Sequence, residues 1–498
     1  MYYPCLNEFL KLVKKGNVIP VYKEISADLD TPVSAFLKIK KDDYAFLLES
    51  VEGQEKIARY SFLGTRPALV FKAKSRDISI IYPQKKTARS FTTRTTALDE
   101  IKQIMRDFKA VPIKGLPRFC GGLVGFMGYD MVRFFEQLPD KNPDDLKLPD
   151  ALFLLTDTIL VFDHFNHTIK IVTNIILPEN IRRLSKRQKT QIYNRAVRKI
   201  AGVENDFRKG AVKTADGEQS VRKKAKIDSN FTKSGFKSMV RKMKAYIKKG
   251  DIIQAVPSQR FRLKIGSDPF VIYRRLRSLN PSPYMFFLKL KDVILIGSSP
   301  EMLVRCEEGI VQTRPIAGTR RRGKTEAEEK KFEKELLNDK KERAEHIMLV
   351  DLGRNDLGRV CRRGQVEVSE FMSVEKYSHV MHLVSEVRGR LDNKFDSYDC
   401  LRACFPAGTV SGSPKIRAME IIDELENVRR GPYAGCVGYF SFSQNMDTCI
   451  TIRTIVIKDG MAYVQAGAGI VADSVPEREY YETVNKAKAM IEAIVRVE

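Results

Sequence analysis

The chain has no tryptophan among its 498 residues, only five histidines, and no run of apolar residues long enough to cross a membrane as a helix. Its eight cysteines are scattered from Cys5 to Cys449 without a CxxC pair, and the nearest couple, Cys400 and Cys404, has helical spacing with no matching histidine cluster. A disulfide miniprotein is excluded, and reduced structural thiols are expected. No internal repeat of fixed period is visible. The opening residues, MYYPCLNEFLKLVKKG, carry charges where a leader peptide needs an unbroken apolar stretch, so a cytoplasmic protein is expected.

What is present describes a globular enzyme-sized chain: 43% hydrophobic and 30% charged residues, enough apolar material for a sizeable core. Lys and Arg outnumber Asp and Glu 87 to 62, a formal net charge of +25. The excess is concentrated between residues 181 and 250, which hold 22 Lys or Arg against 5 acids. That could be a nucleic-acid footprint. With only Tyr193, Phe207, Phe231, Phe236 and Tyr246 as aromatics and no RNA-binding signature, the run reads instead as a solvated helical face and linker, and neither nucleic acid nor membrane is expected as a partner. The segment from Val203 to Ser229 is the best place to divide the chain, giving 1–225, β-rich with a basic connector at its end, and 226–498.

Before that segment short apolar runs alternate with turns: DYAFLLESV, ARYSFLG, ALVFKA, ISIIYP, FCGGLVGFMGYD and LFLLTDTILVFDH. After it come a helix over Lys233 to Lys249, strands near Gln259 to Lys264, Met285 to Leu288 and Val293 to Gly297, a charged helical stretch from about Thr325 to Leu349, and a terminal helix from Pro476, since proline suits the first helical turn. Strands and helices without regular alternation predict an α+β fold, with a largely antiparallel sheet region in the first part of the chain.

Three chemical signals compete. Gly318 to Thr325, GTRRRGKT, satisfies the phosphate-loop pattern and supports a rival nucleotide-binding enzyme, although the following helix is too charged to pack under a parallel sheet. Gly435-Cys436-Val437-Gly438 resembles the nucleophile elbow of glutamine amidotransferases, but every histidine (164, 167, 346, 379 and 382) precedes Cys436, whereas that class carries its histidine downstream. A structural cysteine is expected, and no glutamine hydrolysis by this chain. The third signal occurs twice: Glu342 with Glu345, and Glu479 with Glu482, each three residues apart on one helix face. Such pairs are common on solvated helices; two facing pairs could also hold one hard divalent ion such as Mg²⁺. Around them lie PIAGT, DLGRND, FPAGTVSGSPK, RGPYAG, TIRT and AGAGIV, where glycine lets amides approach an anion and arginine can clamp a carboxylate.

Taken in order, LLES, RYSF, GFMGYD, GDIIQAVPSQRF, NPSPYMF, GSSPEMLV, PIAGTRRRG, EHIMLVDLGRND, HVMHLVS, PAGTVSGSPK, GPYAGCVGY and VPEREYYETVNKAKA make the chain resemble the synthase components of anthranilate synthases, members of the chorismate-utilising family, from about Tyr22 to the C-terminus. The resemblance implies large antiparallel β-sheets packed on each other with helices outside, with 1–225 regulatory and 226–498 binding chorismate. It implies Mg²⁺-dependent conversion of chorismate and ammonia to anthranilate and pyruvate through aminodeoxyisochorismate, ammonia coming from a separate glutamine amidotransferase subunit. Glu345 and Glu482 would ligate the ion directly, Glu342 and Glu479 through water. Arg453 and Tyr433 would hold the enolpyruvyl carboxylate with backbone amides of Gly467, Ala468 and Gly469. Lys486 and Thr409 would line the ring end, and His382 would assist departure of the C4 hydroxyl or the later elimination; Gln254, Gly318 and Thr319 complete the catalytic set. Ala317 stands where C4-aminating relatives carry a nucleophilic Lys, and Gln254 where isochorismate synthases carry a Lys base, so both point to amination at C2. Enzymes that stop at aminodeoxyisochorismate share this pattern. Leu48, Glu49 and Ser50, with Asn280, Pro281, Ser282, Tyr284, Met285, Val437 and Tyr439, resemble the family's tryptophan feedback site, and a chain free of tryptophan suits an enzyme needed when tryptophan is scarce.

Overall fold

The computed structural model describes residues 1–40, 42–51, 59–210, 226–377 and 380–497. Residues 211–225, where the basic connector and the proposed division fall, and His379 lie outside the described residues.

Two large antiparallel sheets dominate, each of 12 strands among the described residues. In the first, Tyr44–Glu49 pairs on one side with Tyr60–Thr65 and on the other with Tyr284–Leu290, and the sheet continues through Val293–Ser299 and Thr454–Lys458 to Met461–Gly467. In the second, Gly122–Met127 lies beside Cys436–Ser441, which leads through Met446–Ile450 and Met302–Glu307 toward Val380–Leu391. Each sheet is thus built from a block of strands from before residue 225 and a block from after it, which meet at one seam: Tyr44–Glu49 against Tyr284–Leu290 in the first, and Gly122–Met127 against Cys436–Ser441 in the second. Both sheets therefore run across the division, with strands on either side of it.

Alternation along the strands explains the layering. Phe46 and Phe286 face the space between the sheets, packing with Phe62, Phe126 and Leu295, while their neighbours Leu47 and Phe287 face an outer helical layer built from Phe36, Phe270, Tyr273 and Met490. One-residue alternation puts successive side chains on opposite faces, and with both faces covered the strands read as continuous apolar runs. Burial of each such phenylalanine contributes about 1.5–3 kcal/mol. Gly297 sits under Phe286: a Cβ there would stand 1.9 Å from the ring, so the strand needs glycine for the two sheets to close. The second sheet is covered on its far face by the helices Ala97–Arg106, Lys340–Gly358 and Ser397–Cys404. All eight cysteines are free. No helix among the described residues is long and apolar enough to cross a membrane.

The helix Lys233–Lys249 and the terminal helix Pro476–Val495 fall where the sequence places them. The charged stretch expected as one helix is two, Glu326–Asn338 and Lys340–Gly358. Asp339 breaks it, because its carboxylate accepts from the amides of Lys341 and Glu342 and so caps the second helix. The charged run before residue 211 contains a 24-residue helix, Lys186–Lys209, whose buried face of Tyr193, Ala196, Ile200 and Phe207 packs on the first sheet's outer layer.

Candidate active site

The two glutamate pairs sit on separate helices. Glu342 and Glu345 rise from the first two turns of Lys340–Gly358, and Glu479 and Glu482 from the start of Pro476–Val495. Burial and the neighbouring charge of Glu345 push the Glu342 carboxyl up. Glu479, buried beneath its helix, is pushed up by burial and by Glu482 against the hydrogen bond of Ser474 and the charges of Lys341 and Lys486. Lys341 and Glu479 thus feel each other across the two helices. The described residues contain no group of three or more His, Cys, Asp or Glu drawn together as a closed metal cage. The donor chemistry, carboxylate oxygens in two self-repelling pairs, is that of a hard divalent cation such as Mg²⁺.

Around the pairs the glycine-rich segments converge. Gln254 donates from Nε2 to Glu345 Oε1 at 3.1 Å, and its own Oε1 is buried without a partner. A Cβ on Gly469 would come within 2.6 Å of that amide, so the AGAGIV turn passes directly over Gln254 and Glu345. Lys486 bridges Glu482 (2.7 Å) and the carbonyl of Gly467 (3.1 Å). A Cβ on Gly467 would lie 2.7 Å from the Tyr433 hydroxyl. Arg453 occupies a left-handed backbone conformation (φ 50°) and donates to the carbonyl of Lys486 at 3.1 Å. Burial lowers its guanidinium's affinity for protons while Tyr433 and Glu482 raise it, and burial pushes the Tyr433 phenol up to about 12. One expected contribution is corrected here: the Ala468 amide already donates to the carbonyl of Pro257, which leaves only Gly467 and Gly469 of that trio to offer amides.

His382 lies on Val380–Leu391. Its Nδ1 is 2.8 Å from the Gly318 carbonyl and 3.2 Å from the Thr319 hydroxyl, and the carbonyl contact assigns the proton to Nδ1. Burial, with the charge of Arg453, holds its pKa below the usual imidazole range. The ring is therefore neutral at pH 7, with Nε2 unprotonated and without a hydrogen-bond partner among the described residues. Thr409, in the turn Gly408–Val410, borders a cleft lined by Glu301, Thr313, Pro315 and Leu352.

Glu301 was not among the residues singled out from the sequence. It is buried beside Thr409 and Lys486, and burial pushes its carboxyl up to about 8. It is the acid of GSSPEMLV, but the sequence carries no sign that this one, among 62 Asp and Glu, is the buried one. Equally unforeseen is the buried pair of Arg430 and Glu426 (2.7 Å), whose guanidinium stacks over Tyr433 and whose carboxylate accepts from the amide and hydroxyl of Ser258. It fixes the ring of Tyr433 in place.

The phosphate-loop reading fails on geometry. Gly318 belongs to a strand, Ile316–Arg321, and the amides of Gly323 and Lys324 donate to the carboxylates of Glu329 and Glu328 at 2.7 and 2.8 Å. An anion at this turn would meet two carboxylates. Cys436 is buried, its thiol pushed up to about 12, and cannot serve as a thiolate.

A second pocket lies between the sheets, lined by Leu48, Glu49, Ser50, Tyr284, Met285, Val437 and Tyr439 with Phe62, Arg118 and Asp447. Glu49 is buried at its inner end; Oε2 accepts from the Tyr273 hydroxyl and from Arg277 (3.1 Å), and Oε1 has no hydrogen-bond partner. The opposite wall is a network in which Asp447 accepts from Tyr284 (3.1 Å), Arg118 (3.1 Å) and Arg305 (3.0 Å), and Arg118 donates to Tyr439 (3.1 Å). Asn280 and Ser282 do not line the pocket. They bond to Ser298 (2.9 and 2.8 Å), whose amide donates to the carbonyl of Arg453 (3.1 Å), so the turn carrying Pro281 connects pocket and active site.

A family model described as chorismate binding enzyme matches residues 43–492. Anthranilate synthase component 1 of Acetivibrio thermocellus is 50% identical over 498 residues, 99% of either chain. That of Aquifex aeolicus (strain VF5) is 50% identical over 490 residues, 98% of this chain and 97% of the other. Among solved structures, anthranilate synthase component I from Streptococcus pneumoniae TIGR4 superposes with a TM-score of 0.76 at 37% identity, covering 94% of this chain and 98% of that one. With the converging motifs and the two packed sheets, these likenesses establish that the chain belongs to the chorismate-binding enzyme family, among relatives that are anthranilate synthase component 1 proteins.

Proposed function

We propose that the protein is the synthase subunit of an anthranilate synthase, acting in the cytoplasm at the first step of tryptophan biosynthesis: chorismate and ammonia give anthranilate and pyruvate, with tryptophan as inhibitor and a glutamine amidotransferase subunit as partner. The observation that carries the reading is Gln254. An amide stands at the floor of the site, tethered to Glu345 through Nε2 and leaving a buried Oε1 with no partner. An amide cannot deprotonate water, but its oxygen can accept from ammonia and orient the nitrogen lone pair toward C2.

Arg453 and Tyr433 supply a half-buried cation and a neutral phenol for the enolpyruvyl carboxylate, which orients the ring. Glu345 and Glu482, with Glu342 and Glu479 through water, would hold Mg²⁺, which when bound neutralises the ring carboxylate. Glu301, kept protonated at neutral pH by burial, supplies the proton with which the C4 hydroxyl leaves as water while the C–N bond forms at C2, and its carboxylate is reprotonated by the proton the new ammonium group gives up. His382, neutral, then takes the C2 proton at Nε2 as the C3–O bond breaks and the pyruvate enolate leaves; the imidazolium returns that proton to the enolate's methylene carbon, which gives pyruvate and the aromatic ring. One site thus holds an acid and a base whose environments push their pKa values to opposite sides of neutrality. Between the sheets, the unpartnered Oε1 of Glu49 would receive the amino group of tryptophan, and the turn through Ser282 and Ser298 carries the occupancy of that pocket to the backbone of Arg453.

The test is chromatographic identification of the product from chorismate, Mg²⁺ and ammonium salt. Anthranilate with stoichiometric pyruvate supports the reading, accumulation of aminodeoxyisochorismate restricts the chain to the first half-reaction, and isochorismate overturns the role of Gln254.

A further inference from the structure

Each carboxylate pair already holds a cation from the chain itself. Lys486 reaches Glu482 from one turn along the same helix, whereas Arg320 reaches Glu342 from a different element, the strand Ile316–Arg321, with Nη1 3.4 Å from Oε1. The guanidinium is forked. Nη2 is held by Asp339, the cap of the Glu342 helix, at 2.7 Å, and Nη1 also donates to the carbonyl of Thr319 at 2.9 Å. The next two arginines point elsewhere, Arg321 to Glu328 and Arg322 to Glu329.

The strand that carries Arg320 is irregular where it matters. Its register against Val380–Leu391 slips between Ala317 and Arg320, and Gly318 has φ +64°, which favours glycine. A Cβ on Gly318 would lie 2.9 Å from Leu336 and 3.3 Å from Glu342 Oε2, so the bulge rests against the carboxylate that Arg320 holds. The same two bulge residues hold His382, through the Gly318 carbonyl and the Thr319 hydroxyl.

We propose that Arg320 is a built-in counter-cation, which neutralises Glu342 while the divalent ion is absent, is displaced from it when the ion arrives, and through its hold on Thr319 passes that displacement to the bulge that orients His382. Arginine suits the task because its guanidinium does not lose its proton and its planar fork spans two acceptors at once. It is a positioning residue, touching neither substrate nor reacting atoms. The inference rests on the assignment of Mg²⁺ to the four glutamates, and adds two consequences: the ion binds more weakly than the carboxylates alone would allow, and its binding is felt at the histidine.

The experiment measures magnesium affinity of the substrate-free chain by titration calorimetry and, in parallel, the imidazole NMR signal of His382, assigned by its loss in His382→Asn. In wild type, magnesium shifts that signal. Arg320→Gln is expected to bind magnesium about fivefold more tightly, the size of a partly exposed ion pair, and to show a His382 signal that no longer responds to the ion. Arg320→Lys, which keeps charge and bulk but cannot fork, falls between, and supplies the same reading if Arg320→Gln does not fold. Arg321→Gln, removing an equal charge directed at Glu328, leaves both readouts at wild-type values. Unchanged or weaker binding in Arg320→Gln overturns the counter-cation, and a full His382 response in that variant overturns the coupling. If wild type binds no magnesium, the metal assignment falls first and the inference with it.

Discussion

Replacing Glu301 by glutamine separates two consequences of one buried proton. The carboxyl titrates at about 8 in the folded chain against a usual 4.5, because burial disfavours its charge. A carboxyl whose folded pKa is raised stabilises the fold fully only below the unfolded value. The contribution is lost as pH rises toward the folded value, since the unfolded chain releases a proton that the folded chain keeps. Between pH 5 and pH 8 the wild type should therefore lose on the order of 3 kcal/mol relative to Glu301→Gln, which has no proton to release. The assay is denaturant unfolding of both proteins at pH 5, 6, 7 and 8, following the difference in midpoints. The variant should gain steadily on the wild type with pH while its turnover of chorismate falls by about 10²–10⁴-fold, the range for loss of a general acid. Parallel stability curves would refute the buried proton. Undiminished turnover would refute its use in catalysis.

Glu345→Gln should remove the response of the enzyme to magnesium and lower turnover by about 100-fold or more, read as rate against magnesium concentration. Glu49→Gln should weaken inhibition by tryptophan at least about tenfold, an ion pair to a buried carboxylate being lost, while the uninhibited rate with ammonium stays within about twofold of wild type. Cys436→Ala should leave the rate with ammonium unchanged and cost about 1 kcal/mol of stability, because the thiol is a buried packing group on Cys436–Ser441; loss of activity without loss of stability would contradict that.

Much of this arrangement is legible in the sequence because its chemistry is carried by short ordered motifs. The strand runs around Tyr44–Glu49 and Tyr60–Thr65, the helix Lys233–Lys249 and the terminal helix announce themselves by apolar runs, helical amphipathicity and a proline start. The i, i+3 glutamate pairs point to one helix face each, and seven of the ten residues expected at an inhibitor site line one pocket. What escapes is long-range. That residues 1–210 and 226–497 share the same two sheets follows from pairings such as Glu49 with Met285, which no local pattern encodes. Asp339 looks like one more charge in a charged stretch until its carboxylate is seen capping a helix. The phosphate-loop match in GTRRRGKT fails because Glu328 and Glu329 fold back on its amides. Glu301 and the Arg430–Glu426 pair owe their properties to burial, which is decided by the packing of elements distant in sequence.

In the proposed reaction the chain aminates chorismate at C2 and carries it on to the aromatic product, but draws ammonia from elsewhere. Anthranilate fluorescence tests it most directly, followed continuously with purified chain, chorismate and Mg²⁺, once with ammonium salt and once with glutamine as the only nitrogen source. Fluorescence should rise with ammonium and stay flat with glutamine until an amidotransferase subunit is added. Chorismate left intact in the presence of ammonium, or fluorescence from glutamine with the chain alone, would contradict it.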